Sequence, residues 1–457
     1  MLMILEDRGN AVAKFSILVV LVLMPLGLVA QAPSWVPPVA ELAARRLAVM
    51  ESMKSGVALI SGARPTGSYA IFRQNNRFFY LTGLEVQGAY LLLDAKKKKA
   101  TLLVPKTSKF QESWEGKQHD GLIDLQARTG IKDVSFDARK VAKVLDGFVK
   151  RASALWIPKS PAELGMIIND SATGFYRSHH PIRRQIDGLL SREDLLLEQI
   201  TKRYPKKKIN DLSPILRSLR ATKSKFEQAQ MRRASELTAK GMIEVIKAAE
   251  PERHEYELGA IMEFVCKLGG AQGHGYAAIV GSGLNSCVLH YNRASRKMSD
   301  GDIIVVDAAC SYGYFTADVT RTFPANGKFS PAQKKVYNAV LEAQQAAIKA
   351  CRPGVSIADL ERIARGVLAK YKLARRFSHG LGHHVGMAVH DPTGASRVLR
   401  PGHIITIEPG AYIREKALGV RIEDVILITA NGCEVLSRGV PRSIKEIEAL
   451  MASPKTY

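Results

Sequence analysis

Cysteine is scarce in this chain. Five cysteines occur in 457 residues, which is an odd number, and no two of them form a CxxC pair. A small domain that relies on disulfides has a denser and even set. We therefore expect no disulfide framework, and no local pattern marks any of the five as a nucleophile. The cysteines are Cys266, Cys287, Cys310, Cys351 and Cys433.

Several catalytic signatures are also absent. The sequence contains no GxSxG nucleophile elbow, no P-loop, no GxGxxG that follows a strand and no HExxH motif. These absences remove the support for a serine hydrolase of the elbow type, a P-loop or dinucleotide-binding enzyme, and an HExxH metallopeptidase. No competing signature remains, so the catalytic residues are sought in longer-range patterns.

Acidic residues are few relative to basic ones. The chain has 43 Asp and Glu against 66 Lys and Arg, which gives a formal net charge of +23. A basic balance can serve nucleic acid or an anionic membrane, but the basic residues are spread along the chain and no aromatic-interleaved basic stripe occurs. The run Lys96–Lys99 lies between two apolar segments, which predicts an exposed hairpin tip. We expect diffuse surface basicity and no nucleic-acid partner.

A continuous apolar run, Phe15–Ala30, lies near the N-terminus behind Lys14. It has 16 residues, whereas a membrane-spanning helix needs about 20, and Ala30-Gln31-Ala32 offers a small-x-small cleavage site. Residues 1–32 are predicted to be a secretory signal peptide. The mature protein is then exported, to the periplasm or outside the cell, with no stable membrane insertion after processing. An uncleaved membrane anchor is the alternative.

The rest of the chain divides into two predicted domains. Strands and helices alternate to about Ile200, which indicates an α/β domain. The polar stretch Thr201–Asp211 contains Pro205, and we place the boundary there. The N-terminal domain then covers residues 33–205 and the C-terminal domain residues 206–457. In the C-terminal domain, a pair of amphipathic helices followed by strands occurs twice, which predicts two similar halves.

The most informative stretch, Gly301–Phe323, has the pattern of a β-hairpin. A β-branched run and an alternating segment flank Tyr312-Gly313. If those two residues form the turn, Asp307 lies directly opposite Asp318, with the Cβ atoms about 4.5–5.5 Å apart. Two buried carboxylates at that distance repel each other. A divalent cation between them removes the repulsion.

Further acidic and imidazole groups follow downstream. One glutamate ends the segment ITIEPG and another lies inside GVRIEDVILI, where a charged group is almost never buried without a partner. A histidine cluster broken by glycines, HGLGHH, is predicted to be a loop or strand. Four carboxylates and one imidazole predict a site for two divalent metal ions, with Mn²⁺ as first choice and Co²⁺ or Zn²⁺ able to substitute. The predicted ligands are Asp307, Asp318, His383, Glu408 and Glu423.

These motifs resemble the metallopeptidase family with the pita-bread fold, which includes methionine aminopeptidase, Xaa-Pro aminopeptidase, prolidase and the metal-free creatinase. The resemblance rests on VDAACSYGYFTADVTRTF, HGLGHHVGMAVHD, TIEPGAYI and VRIEDVILI, and it covers Leu216 to Ile447. The phrase from Gln74 to Gly83 also resembles the N-terminal domain of Xaa-Pro aminopeptidases and prolidases. The resemblance implies an α/β N-terminal domain plus an α+β pita-bread catalytic domain with an internal pseudo-twofold repeat.

The resemblance assigns roles to the metal ligands. Asp318 and Glu423 would bridge the two ions. Asp307 would complete the coordination of one ion, and His383 and Glu408 that of the other. Glu408 would also act as the general base.

The resemblance also assigns roles on the substrate side of the pocket. His290 would stabilise the tetrahedral intermediate, and His390 would contact the substrate carbonyl. His379 would line the pocket near the proline ring, while Tyr412 and Arg421 would orient carboxylates and water. Many relatives carry an asparagine shortly after the His-Tyr pair, where this chain has Ala294-Ser295, so the substrate-entrance loop departs from the family pattern.

The complete ligand set and the N-terminal domain predict a dinuclear-metal aminopeptidase that hydrolyses the Xaa-Pro bond at the N-terminus of peptides through a metal-bridging hydroxide. Prolidase, which cleaves Xaa-Pro dipeptides, is the closest alternative. A metal-free creatinase-like hydrolase and a non-catalytic binding protein on the same fold are less favoured, because all five ligands are present. The expected partners are proline-containing peptides and, by resemblance, further copies of the chain in a dimer or tetramer.

Overall fold

The computed structural model describes residues 34–66, 71–136, 141–160 and 192–456. The predicted signal peptide, residues 1–32, lies outside the described residues. The chain from Ser34 onward forms one compact unit. Within the described ranges, no helix is both long enough and apolar enough to cross a membrane.

A six-stranded mixed sheet forms the core of the N-terminal domain, in the order β4-β3-β2-β1-β5-β6. The central strands pair antiparallel, and the outer strands join them in parallel. The lysine run makes the turn between β2 and β3, as predicted. The strands are β1 Val57–Ser61, β2 Tyr90–Asp94, β3 Lys99–Leu103, β4 Asp133–Ser135, β5 Leu155–Ile157 and β6 Ile209–Asp211. The helices include Val39–Met53, Asn76–Thr82, Lys109–Glu115, Leu122–Thr129, Val141–Arg151 and Arg192–Arg203.

The sheet continues beyond the boundary predicted at residue 205. Strand β6 pairs in parallel with β5, so the polar stretch before the catalytic domain still belongs to the N-terminal sheet. The sequence did not indicate this strand, because β6 is a short edge strand with two polar residues, Asn210 and Asp211. The Asp211 carboxylate accepts hydrogen bonds from the backbone N–H groups of Lys159 and Ser213. The N-terminal sheet therefore ends at Asp211.

The C-terminal domain repeats one arrangement twice, as predicted. Helices Lys225–Ala248 and Glu255–Leu268 precede the first group of strands, and helices Pro331–Ala350 and Ile357–Lys370 precede the second. Helices Ser213–Ala221 and Ile444–Met451 flank the repeat. The first strands are β7 Gly273–His274, β8 Ile279–Ser282, β9 Ile303–Asp307, β10 Cys310–Tyr312, β11 Phe315–Thr316 and β12 Thr320–Pro324. The second are β13 Ile404–Ile407, β14 Gly410–Ile413, β15 Leu418–Arg421, β16 Asp424–Ile428 and β17 Cys433–Val435.

Serine caps set where several of these helices begin. The side chains of Ser224, Ser330 and Ser356 each accept the backbone N–H three residues on, and the residue at that third position bonds back to the serine N–H. This capping box satisfies two N–H groups that the helix itself cannot pair. The last helix begins with the same capping box, at Ser443.

The predicted register of the central hairpin is wrong. Asp307 lies opposite Thr320 rather than Asp318, and Tyr312 lies opposite Phe315, which makes Gly313-Tyr314 the turn. Gly313 has φ +62°, and glycine at the first turn position suits a two-residue hairpin turn. The strands also break at residues 308–309 and 317–319, where the hairpin passes from one sheet to another.

The N-terminal domain holds the tip of this hairpin. The Tyr314 ring stacks on Phe79 with centroids 3.5 Å apart. Its hydroxyl donates to Glu85 at 2.7 Å and accepts from the backbone N–H of Gln74 at 2.9 Å. Asn76 donates to the carbonyl of Met387 at 3.2 Å. The phrase that resembles the family's N-terminal domain therefore contacts two segments of the catalytic domain.

The sequence predicts no disulfide framework, and the structure contains one disulfide bridge. Cys266 and Cys310 form a disulfide that joins helix Glu255–Leu268 to β10. Both residues are fully buried. The two cysteines are 44 residues apart, which matches no recognisable cysteine motif, so no local pattern could indicate the bridge. A single bridge also does not make a framework.

Replacing both Cys266 and Cys310 by alanine is expected to lower the free energy of unfolding by about 2–4 kcal/mol, because the cross-link restricts the unfolded chain. Urea unfolding measures the change. The matched control is Cys287→Ala, which removes a cysteine that the structure leaves unpaired and should change the unfolding free energy little. Equal stability of the double variant and the wild type would contradict a structural role for the bridge.

Candidate metal centre

Five side chains from separate segments meet in one pocket of the C-terminal domain. Asp307 ends β9, and Asp318 follows β11. Glu408 follows β13, and His383 lies in the loop before β13. Glu423 lies between β15 and β16. Donor atoms of Asp318, His383 and Glu423 all lie within 4.8 Å of one another. The His383 Nε2 atom lies 3.4 Å from a carboxylate oxygen of Asp318 and 3.4 Å from one of Glu408. The predicted ligands are therefore brought together.

Backbone pairing fixes the two glutamates and the histidine. The N–H of Glu423 donates to the carbonyl of Thr320 at 3.1 Å, which joins the two halves of the domain at the pocket. The N–H of Glu408 donates to the carbonyl of Leu381 at 2.9 Å. The backbone N–H of Thr406 donates to the carbonyl of His383 at 2.8 Å, and the hydroxyl oxygen of Thr406 accepts from the N–H of His383 at 3.1 Å. The loop and strand β13 thus place their ligands as one unit.

The cluster is electrostatically costly without a cation. Burial, with the carboxylates of Asp318 and Glu408 nearby, raises the pKa of Glu423 well above its usual value. Burial also raises the pKa of Asp307, although the Arg421 guanidinium opposes the effect, and it raises the pKa of Glu408 to about 7 despite nearby His383. Burial lowers the pKa of His383, but the Asp318 hydrogen bond and the Glu408 carboxylate raise it to about 9. Divalent cations relieve this repulsion, so the donor set fits them.

Tyr276 is a site residue that the sequence did not reveal. Its hydroxyl lies 2.6 Å from Asp307 Oδ1 and 2.5 Å from Asp318 Oδ1. Burial and the two aspartates raise the pKa of the Tyr276 hydroxyl well above its usual value, so it remains a donor. It precedes β8, which pairs with β9. A single tyrosine outside every ligand motif offers no signal at the level of sequence.

Tyr276→Phe is expected to weaken metal binding by about 10–100-fold, because a hydrogen-bond donor that orients two ligand carboxylates is lost. The Mn²⁺ concentration that restores half of the activity to chelated enzyme measures the effect. Tyr337→Phe is the matched control, since Tyr337 is buried and donates to the carbonyl of Arg442 at 2.7 Å. An unchanged Mn²⁺ requirement in Tyr276→Phe would contradict the role.

Arg421 links one ligand to the substrate side of the pocket. Its guanidinium donates to Asp307 Oδ2 at 2.8 Å, to the Tyr412 hydroxyl at 3.0 Å and to Thr320 Oγ1 at 3.1 Å. Thr320 in turn donates to Glu423 Oε2 at 2.7 Å. Arg421 and Tyr412 therefore lie beside the ligand cluster, and Thr320 is an additional member of this network that the sequence did not single out.

The three remaining predicted histidines surround the same pocket. His379 Nε2 lies 2.8 Å from the Tyr412 hydroxyl, and burial lowers the pKa of His379 to about 4. The His390 ring packs edge-on against His383 with centroids 4.2 Å apart, and burial lowers the pKa of His390 to about 3. His290 is exposed and lies close enough to His379 and His390 to contribute to the lowering of their pKa values. His384 packs against His403 and pairs with Ile405 in the backbone, which gives it a structural role.

A buried charge cluster anchors the loop that carries His390. Asp391 Oδ1 accepts from Arg220 at 2.7 Å, and Asp391 Oδ2 accepts from Lys223 at 2.9 Å. All three side chains are almost completely buried. The backbone N–H of Asp391 also donates to the carbonyl of His384 at 2.8 Å. The aspartate of the VHD phrase therefore holds the loop, a role that the sequence did not predict.

The entrance loop, whose sequence departs from the family pattern, holds Ala294 in an unusual backbone conformation. Ala294 has φ +46°, in the left-handed region. Asparagine tolerates that region better than alanine does. The Ser295 N–H lies 3.4 Å from the Tyr291 hydroxyl, so the loop closes locally despite the substitution.

The fold and the donor set together define a centre of the kind that metallohydrolases use. The family model for metallopeptidase family M24 matches residues 229–430, and the model for the N-terminal domain of aminopeptidase P matches residues 42–156. The Xaa-Pro aminopeptidase of Haemophilus influenzae is 31% identical over 452 residues, which are 91% of this chain and 97% of that protein. The chain belongs to metallopeptidase family M24.

Two further comparisons bear on the architecture and the alternatives. A Xaa-Pro dipeptidase of Pyrococcus horikoshii is 35% identical over 246 residues, which are 53% of this chain and 70% of that protein. The solved structure of zinc-substituted Escherichia coli aminopeptidase P in complex with product has a TM-score of 0.77 and 29% identity, and it covers 91% of this chain and 98% of that one. The predicted architecture, an α/β N-terminal domain before a pita-bread catalytic domain, is confirmed.

Proposed function

We propose that this chain is a dinuclear-metal aminopeptidase that hydrolyses the Xaa-Pro bond at the N-terminus of peptides, with Mn²⁺ as its metal. The observation that carries the proposal is the convergence of four carboxylates and one imidazole in a single pocket. The matching N-terminal domain and the full-length likeness to a Xaa-Pro aminopeptidase support the substrate class. Oxygen-rich donor sets favour harder divalent ions, which supports Mn²⁺.

The ligand residues hold and balance the charge at the reacting centre. Asp307, Asp318, His383, Glu408 and Glu423 would hold the two metal ions. When bound, the two cations would lower the pKa of a shared water and polarise the peptide carbonyl. Glu408 would accept the proton of the attacking water, because its side chain, at 15% exposed, is the most exposed of the four ligand carboxylates.

The residues around the ligands bind and orient the substrate. His390 and His379 are held uncharged by burial, so each can donate one hydrogen bond without repelling the cations. His390 lies beside His383 and donates to the substrate carbonyl, while His379 lines the wall near the proline ring. His290, on the exposed side, donates to the oxyanion that develops during attack. Arg421 and Tyr412 keep Asp307 in place.

Prolidase activity is the second candidate, because a Xaa-Pro dipeptidase is 35% identical to this chain over 246 residues. Release of alanine from Ala-Pro-Ala, compared with Ala-Pro and with Ala-Ala-Ala under Mn²⁺, separates the two. We expect cleavage of the proline tripeptide at a kcat/KM at least about tenfold above that for the dipeptide, and little cleavage of Ala-Ala-Ala. Cleavage of Ala-Pro alone would establish prolidase instead. Cleavage of neither proline peptide would overturn both.

We also propose that residues 1–32 direct export and are then removed, so that the mature enzyme acts in the periplasm or outside the cell. The Cys266–Cys310 disulfide supports an oxidising compartment. Sequencing the N-terminus of the protein recovered from cell fractions tests this. A first residue near Gln31 or Pro33 in an exported fraction is expected. Met1 in a membrane fraction would indicate an uncleaved anchor.

A further inference from the structure

Two cysteines outside the metal centre lie near each other in the second half of the C-terminal domain. Cys351 directly follows helix Pro331–Ala350, and its N–H donates to the carbonyl of Ile348 at 3.0 Å. Cys433 begins β17, and its thiol donates to the same carbonyl at 3.5 Å. Because both cysteines donate to the Ile348 carbonyl, their side chains lie close to each other. In the structure both thiols are reduced.

We propose that Cys351 and Cys433 are an oxidation site, at which a small-molecule disulfide such as glutathione disulfide closes a second intramolecular disulfide. The site is independent of the peptidase reaction. It uses two of the three cysteines that the Cys266–Cys310 bridge leaves over.

The differing environments of the two thiols set the order of the reaction. Cys433 is half-buried and Cys351 is almost fully buried, so an external disulfide meets Cys433 first. The neighbouring Cys351 thiol lowers the pKa of Cys433 to about 7, which supplies the thiolate that attacks. Interaction with Cys433 and burial raise the pKa of Cys351, so this residue reacts second and from within.

The exchange balances in two steps. The Cys433 thiolate attacks one sulfur of glutathione disulfide, forming a mixed disulfide and releasing one glutathione thiolate. The Cys351 sulfur then attacks the Cys433 sulfur, gives up its proton, and releases the second glutathione. The two protein thiols lose two electrons, and glutathione disulfide is reduced to two glutathione molecules that carry the two protons.

The new bond would reinforce the support beneath two metal ligands. Gln344, on the helix that ends at Cys351, donates to the carbonyls of Ile407 and Ile422 and to Asp424 Oδ2, at 3.3, 3.2 and 2.9 Å. Those positions adjoin Glu408 and Glu423. Strand β17 pairs with β16, which follows Glu423. A disulfide from Cys351 to Cys433 would therefore tie the helix end to the same sheet.

Oxidation of the purified full-length chain tests the proposal. The protein is treated with glutathione disulfide, its remaining thiols are alkylated, and its peptides are mapped without reduction. We expect a Cys351–Cys433 peptide, protection of both residues from alkylation, and a rise in melting temperature of about 5 °C. Cys287 should remain alkylated. Dithiothreitol should reverse the change, and Cys433→Ser should abolish it.

Three results would overturn the proposal. The first is full alkylation of Cys351 and Cys433 after oxidation. The second is glutathione that stays on Cys433, which would mean that Cys351 cannot reach it. The third is a bridge from Cys433 to Cys287 or to a second chain. Because the mapping uses the wild-type chain, the test does not depend on whether a cysteine variant folds.

Discussion

Glu423→Gln is expected to abolish peptidase activity and, in the metal-free protein, to raise the free energy of unfolding. Glu423 is almost fully buried, and its carboxylate faces Asp318 and Glu408, which together with burial hold its pKa well above the usual value. Glutamine keeps the shape and removes the charge. Loss of one proposed metal ligand should lower kcat/KM by at least about 10³-fold, since charge stabilisation by metal ions lowers the barrier by several kcal/mol.

The adjacent residue provides the matched control. Asp424 is also fully buried, but its carboxylate points away from the pocket and accepts from Arg321 at 2.9 Å, Ser437 at 2.6 Å and Gln344 at 2.9 Å. Asp424→Asn leaves the buried Arg321 guanidinium without its counter-charge. Breaking such a pair costs about 3–5 kcal/mol. We therefore expect lower stability, with Mn²⁺ still bound by the fraction that remains folded.

Urea unfolding with EDTA present, together with kcat/KM under saturating Mn²⁺, distinguishes the two variants. Opposite stability changes are the expected outcome, upward for Glu423→Gln and downward for Asp424→Asn. Substantial turnover in Glu423→Gln would contradict its role as a ligand. A drop in metal-free stability in that variant would contradict the account of the pocket as a repulsive cluster.

The ligands could be predicted because each breaks a local rule. Glu423 is charged within the apolar segment GVRIEDVILI, and Asp307 and Asp318 are aspartates in segments that otherwise favour strands. Such violations mark functional sites. The exact pairing could not be predicted, because moving the turn by one residue, from Tyr312-Gly313 to Gly313-Tyr314, changes every opposed pair. The aspartates still meet, through Tyr276 and a break in the hairpin.

The missed residues share a different property. Tyr276, Thr320, Lys223 and Asp391 are ordinary core-compatible or polar residues whose partners lie far away in the chain. No period or spacing connects such residues, since only the fold brings them together. The same holds for the Cys266–Cys310 bridge. The sequence thus indicated which groups carry the chemistry, whereas the groups that position them required the structure.

Removal of the metal is expected to inactivate the enzyme and to destabilise it more at pH 8 than at pH 5.5. EDTA should abolish turnover, and Mn²⁺ should restore it. The pH dependence follows from the ligands. Glu423 and Glu408 have folded-state pKa values above their usual values, the latter at about 7. A carboxyl group of this kind opposes folding increasingly as the pH rises from its usual pKa through its folded-state pKa.

His383 acts in the same direction. Its pKa is raised to about 9 in the metal-free pocket, so its favourable charge is fully present below its ordinary pKa and is lost as the pH rises toward 9. Metal ions also bind the deprotonated ligands, which strengthens binding at higher pH. The gain in melting temperature on adding Mn²⁺ should therefore increase from pH 5.5 to pH 8. Glu423→Gln should show a much smaller gain at both pH values. A gain in melting temperature that is constant with pH, or larger at pH 5.5, would contradict this account. It would mean that negative charge does not accumulate in the metal-free pocket as the pH rises.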